Sequence, residues 1–205
     1  MPGRWIETGR AFAKAGQRAM PVNSATSDPE KTRRFRDAAL PHLDAVYTLA
    51  RYLLRDPSDA EDAVQECYLR ALKHFDGYRG PAMKPWLLAI LRNVCRAEFA
   101  RRASSPTEPI DEGNDNAEHT PLWSEAEETA EAQMMQRSDA STIRRLLTAL
   151  AEPFRETLVL REIQNLSYRE IADVAEVPVG TVMSRLARAR AMLRSAWLAE
   201  QEQPK

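Results

Sequence analysis

The residues best suited to chemistry lie near the end of the chain. Between Thr181 and Arg194 stand Arg185, Arg188, Arg190 and Arg194, with no acidic residue among them. Arginine grips phosphates and can make paired hydrogen bonds to guanine in the major groove. Thr181, Met183 and Ser184 belong to the same outer stretch, while Val182, Leu186, Ala189 and Leu193 recur at helical spacing and point inward. Upstream, Ser167 and Glu170 have the spacing of a capping box, and Ile171, Ala172 and Val174 or Ala175 face a core. Val177-Pro178-Val179-Gly180 makes a tight connection, after which Thr181 starts a second helix. Cap, turn, core and basic face in register read as a DNA-binding helix-turn-helix. The plainer reading is a solvated basic helix in an ordinary bundle.

Two further clusters lie in the first half. Asp59, Glu61, Asp62 and Glu66, with Gln65, make an acidic helix face, which alone reads as solvated surface. Phe75, Tyr78 and Trp86, with Arg79, Lys84, Arg92 and Asn93, place aromatics beside cations and an amide. That combination suits unstacked bases, although aromatics at a helical corner also serve a core. No Glu-x-x-His pair occurs, and His42, His74 and His119 lie far apart. No metal or cofactor is therefore expected, and no Gly-rich phosphate loop or nucleophile–base set is visible. Cys67 and Cys95 sit on apolar helical faces and read as core thiols.

These clusters need helices to position them. The 205 residues are 43 % hydrophobic and 29 % charged, with only 7 glycines, a profile that favours long helices over tight-turned sheets. Leu40, Leu43, Val46, Tyr47, Ala50, Leu53 and Leu54 follow helical spacing until Asp56-Pro57. Ser58 and Glu61 fit a capping box for a second helix, with Ala60, Ala63, Val64, Cys67, Tyr68, Ala71, Leu72 and Phe75 on one face. Asp76-Gly77 breaks it, and a loop runs from Tyr78 to Met83. Lys84-Pro85 opens a third helix with Leu87, Ile90, Leu91, Val94, Cys95 and Phe99 inward and Arg92, Asn93 and Arg96 on the other face. From Arg137 the helical pattern returns, with one stripe of Ile143, Leu146, Leu147 and Leu150 and another of Phe154, Leu158, Val159 and Ile163. The expected fold is all-α, with two small helical domains at 29–103 and 137–200. Between them, 104–136 is an acidic flexible linker whose carboxylates, from Glu108 to Glu131, face no Lys or Arg. Residues 1–28 read as a disordered extension.

Charge balances at 29 basic against 30 acidic residues, a net −1, which excludes a uniformly basic histone-like protein but not a binder with charge concentrated on one helix. Two cysteines exclude a disulfide-rich secreted scaffold. The chain has no apolar run of the ~18–20 residues a span needs and no signal-peptide core. A soluble cytoplasmic protein is expected.

Several stretches together resemble the extracytoplasmic-function class of sigma-70 family sigma factors. They are Asp59-Ala-Glu-Asp-Ala-Val-Gln-Glu66, Phe75-Asp-Gly-Tyr-Arg-Gly80, the helix from Trp86-Leu87 to Arg92-Asn93, Leu166-Ser-Tyr-Arg-Glu-Ile-Ala172, Val179-Gly-Thr-Val182 and Ser184-Arg185. The resemblance covers roughly 35–102 and 138–197. It implies a transcription initiation factor without catalysis, whose partners are core RNA polymerase (beta prime and beta subunits), promoter DNA and an anti-sigma factor that in this family is often membrane-bound. No stable homo-oligomer is expected. It gives Asp59, Glu61, Asp62, Gln65 and Glu66 to polymerase binding. Tyr78, Arg79, Lys84, Trp86, Arg92 and Asn93 fall to the −10 element, through a loop that captures a flipped base. Thr181, Met183, Ser184, Arg185, Arg188 and Arg190 fall to the −35 element. The linker would thread toward positively lined polymerase channels. Met183 and Ala187 depart from the family's recognition face, and the Tyr78 loop is a residue shorter and holds Pro81, so promoter bases do not carry over. The rival is a stand-alone helix-turn-helix regulator, which has no need of the 59–102 module; a small helical metalloenzyme ranks third.

Overall fold

The computed structural model describes residues 28–80, 82–104 and 141–201. The N-terminal extension before Asp28, Pro81 and nearly all of the acidic linker lie outside them. Every regular element among the described residues is helical.

Helix α1 (Pro29–Ala39) starts where the Asp28 carboxylate accepts from the Glu30 amide at 3.0 Å, with Pro29 in the first turn. A 3-10 turn at Leu40–His42 leads into α2 (Leu43–Leu54). Arg55, at φ 68°, ends that helix. Helix α3 (Pro57–His74) is capped by Asp56, whose carboxylate accepts from the Asp59 amide at 2.9 Å. The Ser58/Glu61 capping box expected from spacing is therefore displaced by two residues. Pro57 lacks an amide hydrogen and fits the first helical position, which makes Asp56 the cap. After a 3-10 turn at Phe75–Gly77, α4 runs Met83–Ser104.

Val46, Leu49, Ala50 and Leu53 from α2, Ala60, Ala63, Cys67 and Ala71 from α3, and Leu87, Leu88, Leu91 and Cys95 from α4 form the first core. Each fully buried Leu stabilises the fold by roughly 1.5–3 kcal/mol. Phe35 locks α1 onto this trio through edge-on contacts with Tyr68 and Phe75, at ring separations of 6.1 and 5.4 Å.

In the second half, α5 occupies 141–149 and α6 is Glu152–Leu158, continued by a π-helical turn at Val159–Ile163. Ile143 and Ile163, expected inside, are 41 % and 37 % exposed. The widened π turn shifts the helical phase, so the apolar stripe does not continue to Ile163. Helix α7 (Tyr168–Ala175) has the expected capping box: the Glu170 amide donates to Ser167 Oγ at 3.3 Å and the Ser167 amide to Glu170 Oε2 at 2.8 Å. Glu176 turns the chain at φ 53°, ψ 44°. Helix α8 (Val179–Gln201) begins two residues before Thr181, because the Pro178 carbonyl already accepts from the Thr181 and Val182 amides.

The halves pack together. Helix α4 lies against α7, and α2 against α6. Arg92, Arg155, Glu156, Thr157 and Gln164 are the buried polar side chains of the described residues, and four of them bond across this seam.

Candidate nucleic-acid interface

The acidic face of α3 is split. Glu61, Asp62 and Gln65 are exposed. Asp59 is half-buried and pairs with Arg102 at the far end of α4. Glu66 pairs with Arg70 one turn on, at 2.5 Å. Arg102 also bonds Glu98, as does Arg101, and the two guanidinium groups pull the Glu98 carboxyl down to about 2. The open part of the face is thus Glu61–Gln65, with ion pairs closing its ends.

Of the three clustered aromatics, Tyr78 and Trp86 meet, while Phe75 packs on Phe35 and carries the Arg34 guanidinium over its ring. Tyr78 tilts over Trp86 with ring centroids 4.7 Å apart, and burial pushes its hydroxyl above the ordinary phenol range. Trp86 also packs on the first core. Arg79 is exposed, its guanidinium donating to the Asp76 and Tyr78 carbonyls at 2.6 and 2.9 Å, which stiffens the loop start.

The cations of α4 depart from expectation. Arg92, assigned by periodicity to an outer face, is buried: its Nε donates to Glu156 Oε1 at 2.5 Å. Helix α6 covers what would be the outer face of an isolated first half, which periodicity within α4 could not reveal. Lys84 Nζ donates to the Gln164 carbonyl at 2.8 Å, and desolvation lowers its pKa while the nearby Glu170 opposes the shift. Asn93 is half-buried beside Arg92, and Arg96 is exposed.

On α8, Val182, Leu186 and Ala189 are buried and Met183, Ser184 and Arg188 are exposed. Thr181 and Arg185 are half-buried, and Ser184 Oγ donates to the Thr181 carbonyl at 3.0 Å. Arg190 is drawn off toward Glu162, with Nη2 at 2.6 Å. That pair rims a cavity of about 300 Å³ lined by Leu147, Leu158, Val159, Ile163 and Leu193. Sequence reasoning missed Arg155, Glu156, Gln164 and Glu162. The available signal was the charged Arg155-Glu156 step inside the apolar stripe of α6, but its partner lies 64 residues away.

The Cys67 and Cys95 thiols are buried, and burial pushes each up to about 12. Among the described residues no cluster of His, Cys, Asp or Glu could hold a metal, and no helix is long and apolar enough to cross a membrane.

The Sigma-70 region 2 family matches residues 39–105, and the Sigma-70, region 4 family matches 141–193. The chain is 31 % identical over 174 residues to the ECF RNA polymerase sigma factor SigE of Mycolicibacterium smegmatis, covering 84 % of this chain and 65 % of that protein. It therefore spans just under two thirds of that relative's length. It is 30 % identical over 169 residues to the RNA polymerase sigma-H factor of Pseudomonas aeruginosa, covering 80 % of this chain and 86 % of the relative. With the ECF RNA polymerase sigma-E factor of Escherichia coli it shares 34 % identity over 139 residues, 64 % of this chain and 70 % of that one. Among solved structures, the sigma factor RpoE bound to the anti-sigma factor NepR from Bartonella quintana matches with TM-score 0.64 and 24 % identity, over 80 % of this chain and 97 % of that one. CnrH in complex with the cytosolic domain of CnrY matches with TM-score 0.55 and 23 % identity, over 97 % of this chain and 99 % of that one. With a region 2 helical unit, a region 4 helix-turn-helix and these relatives, the chain belongs to the extracytoplasmic-function group of sigma-70 family sigma factors.

Proposed function

We propose that the chain is a transcription initiation factor without catalysis of its own, working in the cytoplasm by directing core RNA polymerase to promoters. The observation that carries this reading is one chain joining an exposed acidic helix face, Glu61–Gln65, to a helix-turn-helix whose second helix carries four arginines and no acidic residue from Thr181 to Arg194. A stand-alone regulator needs the second and not the first. On this reading 29–103 docks on polymerase and meets the −10 element, and 137–200 meets the −35 element. Asp59, Glu61, Asp62, Gln65 and Glu66 form the polymerase face. Tyr78 and Trp86 supply a π surface for an unstacked base, a contact of ~1–3 kcal/mol per base. Lys84, Arg92, Asn93 and Arg79 would follow the adjoining backbone. Arg188 is the reader in the major groove and Arg185 holds mainly phosphate, with Thr181, Met183 and Ser184 beside them and Arg190 at the margin.

The relatives of known structure are named as complexes with anti-sigma factors or with a partner's cytosolic domain. A protein partner of that kind is proposed for this chain as well.

The test is run-off transcription on a genomic promoter pool with purified core polymerase. Defined start sites that appear only when the chain and core are combined support the reading. Promoter binding by the chain alone, with no effect on start-site choice, favours the stand-alone regulator. Reversing Asp62 and Glu66 to Lys should weaken core binding in a competition assay while the circular-dichroism spectrum stays native.

A further inference from the structure

Single exposed apolar side chains are ordinary on a surface, but a row of them marks a contact. Helix α8 carries such a row where it leaves the helix-turn-helix connection. Met183 is 54 % exposed, more than any other large apolar residue of that helix, and Val179, one turn earlier, is 38 % exposed. Ala187, one turn later, is exposed as well. Residues four apart are neighbours on a helix surface, so the three form one stripe. Val182, Leu186 and Ala189 are the buried side of the helix, and core packing does not account for the stripe.

The surroundings of Met183 say what covers it. From Thr181 to Arg194 the helix has four arginines and no acid, so the partner of this face is a polyanion. Around the helix, at 3.6 residues per turn, Gly180, Ser184 and Ala187 lie between Met183 and Arg188. All three are small and exposed. Gly180 has no positive φ, and a Cβ placed on it would meet nothing within 4 Å. Neither the backbone nor packing within the chain requires glycine there, whereas close approach from outside does.

Hydrogen bonding on this face is one-sided. Ser184 Oγ gives its proton to the Thr181 carbonyl at 3.0 Å, while Arg188 is exposed on the far flank. The Met183 flank therefore offers carbon and sulfur rather than donors. In the major groove one base presents an apolar group: thymine, with its 5-methyl. An unbranched, polarizable thioether adapts well to such a contact.

We propose that Met183 reads a thymine 5-methyl group in the major groove, with Arg188 on the other flank of the same face and with Gly180, Ser184 and Ala187 kept small so that the helix can seat. The inference rests on reading α8 as the helix that meets the −35 element. It makes Met183 a specificity-determining residue whose substitution changes which base is preferred, not only how tightly the chain holds DNA.

The experiment uses the full chain assembled with core polymerase. Its −35 element is taken from the start sites that chain and core select together from a genomic promoter pool. Each thymine of that element, on either strand, is replaced singly by deoxyuridine, which removes the 5-methyl and leaves base pairing intact. Fluorescence anisotropy then compares the duplexes with wild-type and Met183→Ala holoenzymes. At one thymine, loss of the methyl should weaken wild-type binding about fourfold, the worth of one buried methyl-sized group. Met183→Ala should bind the thymine and deoxyuridine duplexes equally at that position and respond as wild type elsewhere. A merely structural role would weaken all duplexes alike and leave their ratio unchanged, which overturns the proposal. So does an element in which no thymine methyl matters, or one that holds no thymine. Met183→Gln, similar in length but polar at its tip, decides in the same way should Met183→Ala fail to fold. If wild type and core give no defined start sites, the initiation reading fails, and the deoxyuridine scan passes to duplexes that the chain alone selects from random sequence. Failure to select any duplex would overturn both.

Discussion

At the scale of single residues, burial decides what a side chain can do. Cys67 and Cys95 are each fully buried, and the Cys67 thiol donates to the Leu87 carbonyl at 3.5 Å. Reactivity needs the thiolate, and burial pushes both groups up to about 12. Neither thiol should react with a disulfide reagent at pH 8 in the native chain, and both should react after denaturation. Rapid labelling of either under native conditions would refute their role as core packing. The same logic separates the arginines of α8. Arg185 is half-buried and sits in the field of Glu156, whereas Arg188 is exposed one turn on. Arg188→Ala should therefore cost ~1–3 kcal/mol and relax selectivity at one −35 position. Transcription of a panel of −35 variants by the reconstituted polymerase checks this, and uniform wild-type levels across the panel would remove Arg188 from base reading.

Elements were legible wherever local chemistry fixes them. The α7 cap is a case: Ser167 and Glu170 satisfy each other's end of the helix, and the sequence alone locates them. Ser167→Ala should lower stability by ~0.5–2 kcal/mol in a denaturant melt, with α8 still folded. The α3 cap was misplaced by spacing because a Ser-x-x-Glu pattern competes with Asp56-Pro57, and the proline decides for Asp56. The phase of the α6 stripe was misjudged at Ile163 because a π turn adds a residue that no periodicity announces. The C-terminal end of α4 carries a further consequence. Glu98 is held at about 2, below its ordinary 4.5, by hydrogen bonds from Arg101 and Arg102. A depressed carboxylate stabilises the native state fully above its unfolded value and loses that contribution as pH falls from 4.5 toward 2. Glu98 lies at the surface, so the share is about 1 kcal/mol or less. Glu98→Gln should flatten the fall of the melting temperature across that acid window. An identical fall in wild type and variant would remove Glu98 from the acid response.

For the whole molecule, what sequence could not reveal is how the halves meet. The apolar faces of α2, α3 and α4 are legible as one core even where a cap or a phase is misplaced. The Arg92–Glu156 pair joins residues 64 positions apart and leaves no local trace. An outer face of one half is an inner face of the pair, so periodicity places Arg92 on a face open to a partner when it is buried at the seam. Charge is the second property of the whole. The chain carries a net −1, so its overall field does not draw it toward DNA. Affinity must then come from a few local cations, each phosphate neutralised adding about −0.9 to the slope of log affinity against log salt. Arg185 is the phosphate-side arginine of this face, while Arg190 is already neutralised by Glu162 at 2.6 Å. Arg185→Ala in the polymerase-bound chain should therefore flatten that slope by about one, and Arg190→Ala should flatten it less. Glu162→Gln frees Arg190 and should steepen the slope. Anisotropy of a −35 duplex titrated from low to high salt measures all three. Equal slopes for Arg185→Ala and Arg190→Ala, with no response to Glu162→Gln, would mean that the surface pair opens freely on DNA and that Arg190 is as available as Arg185.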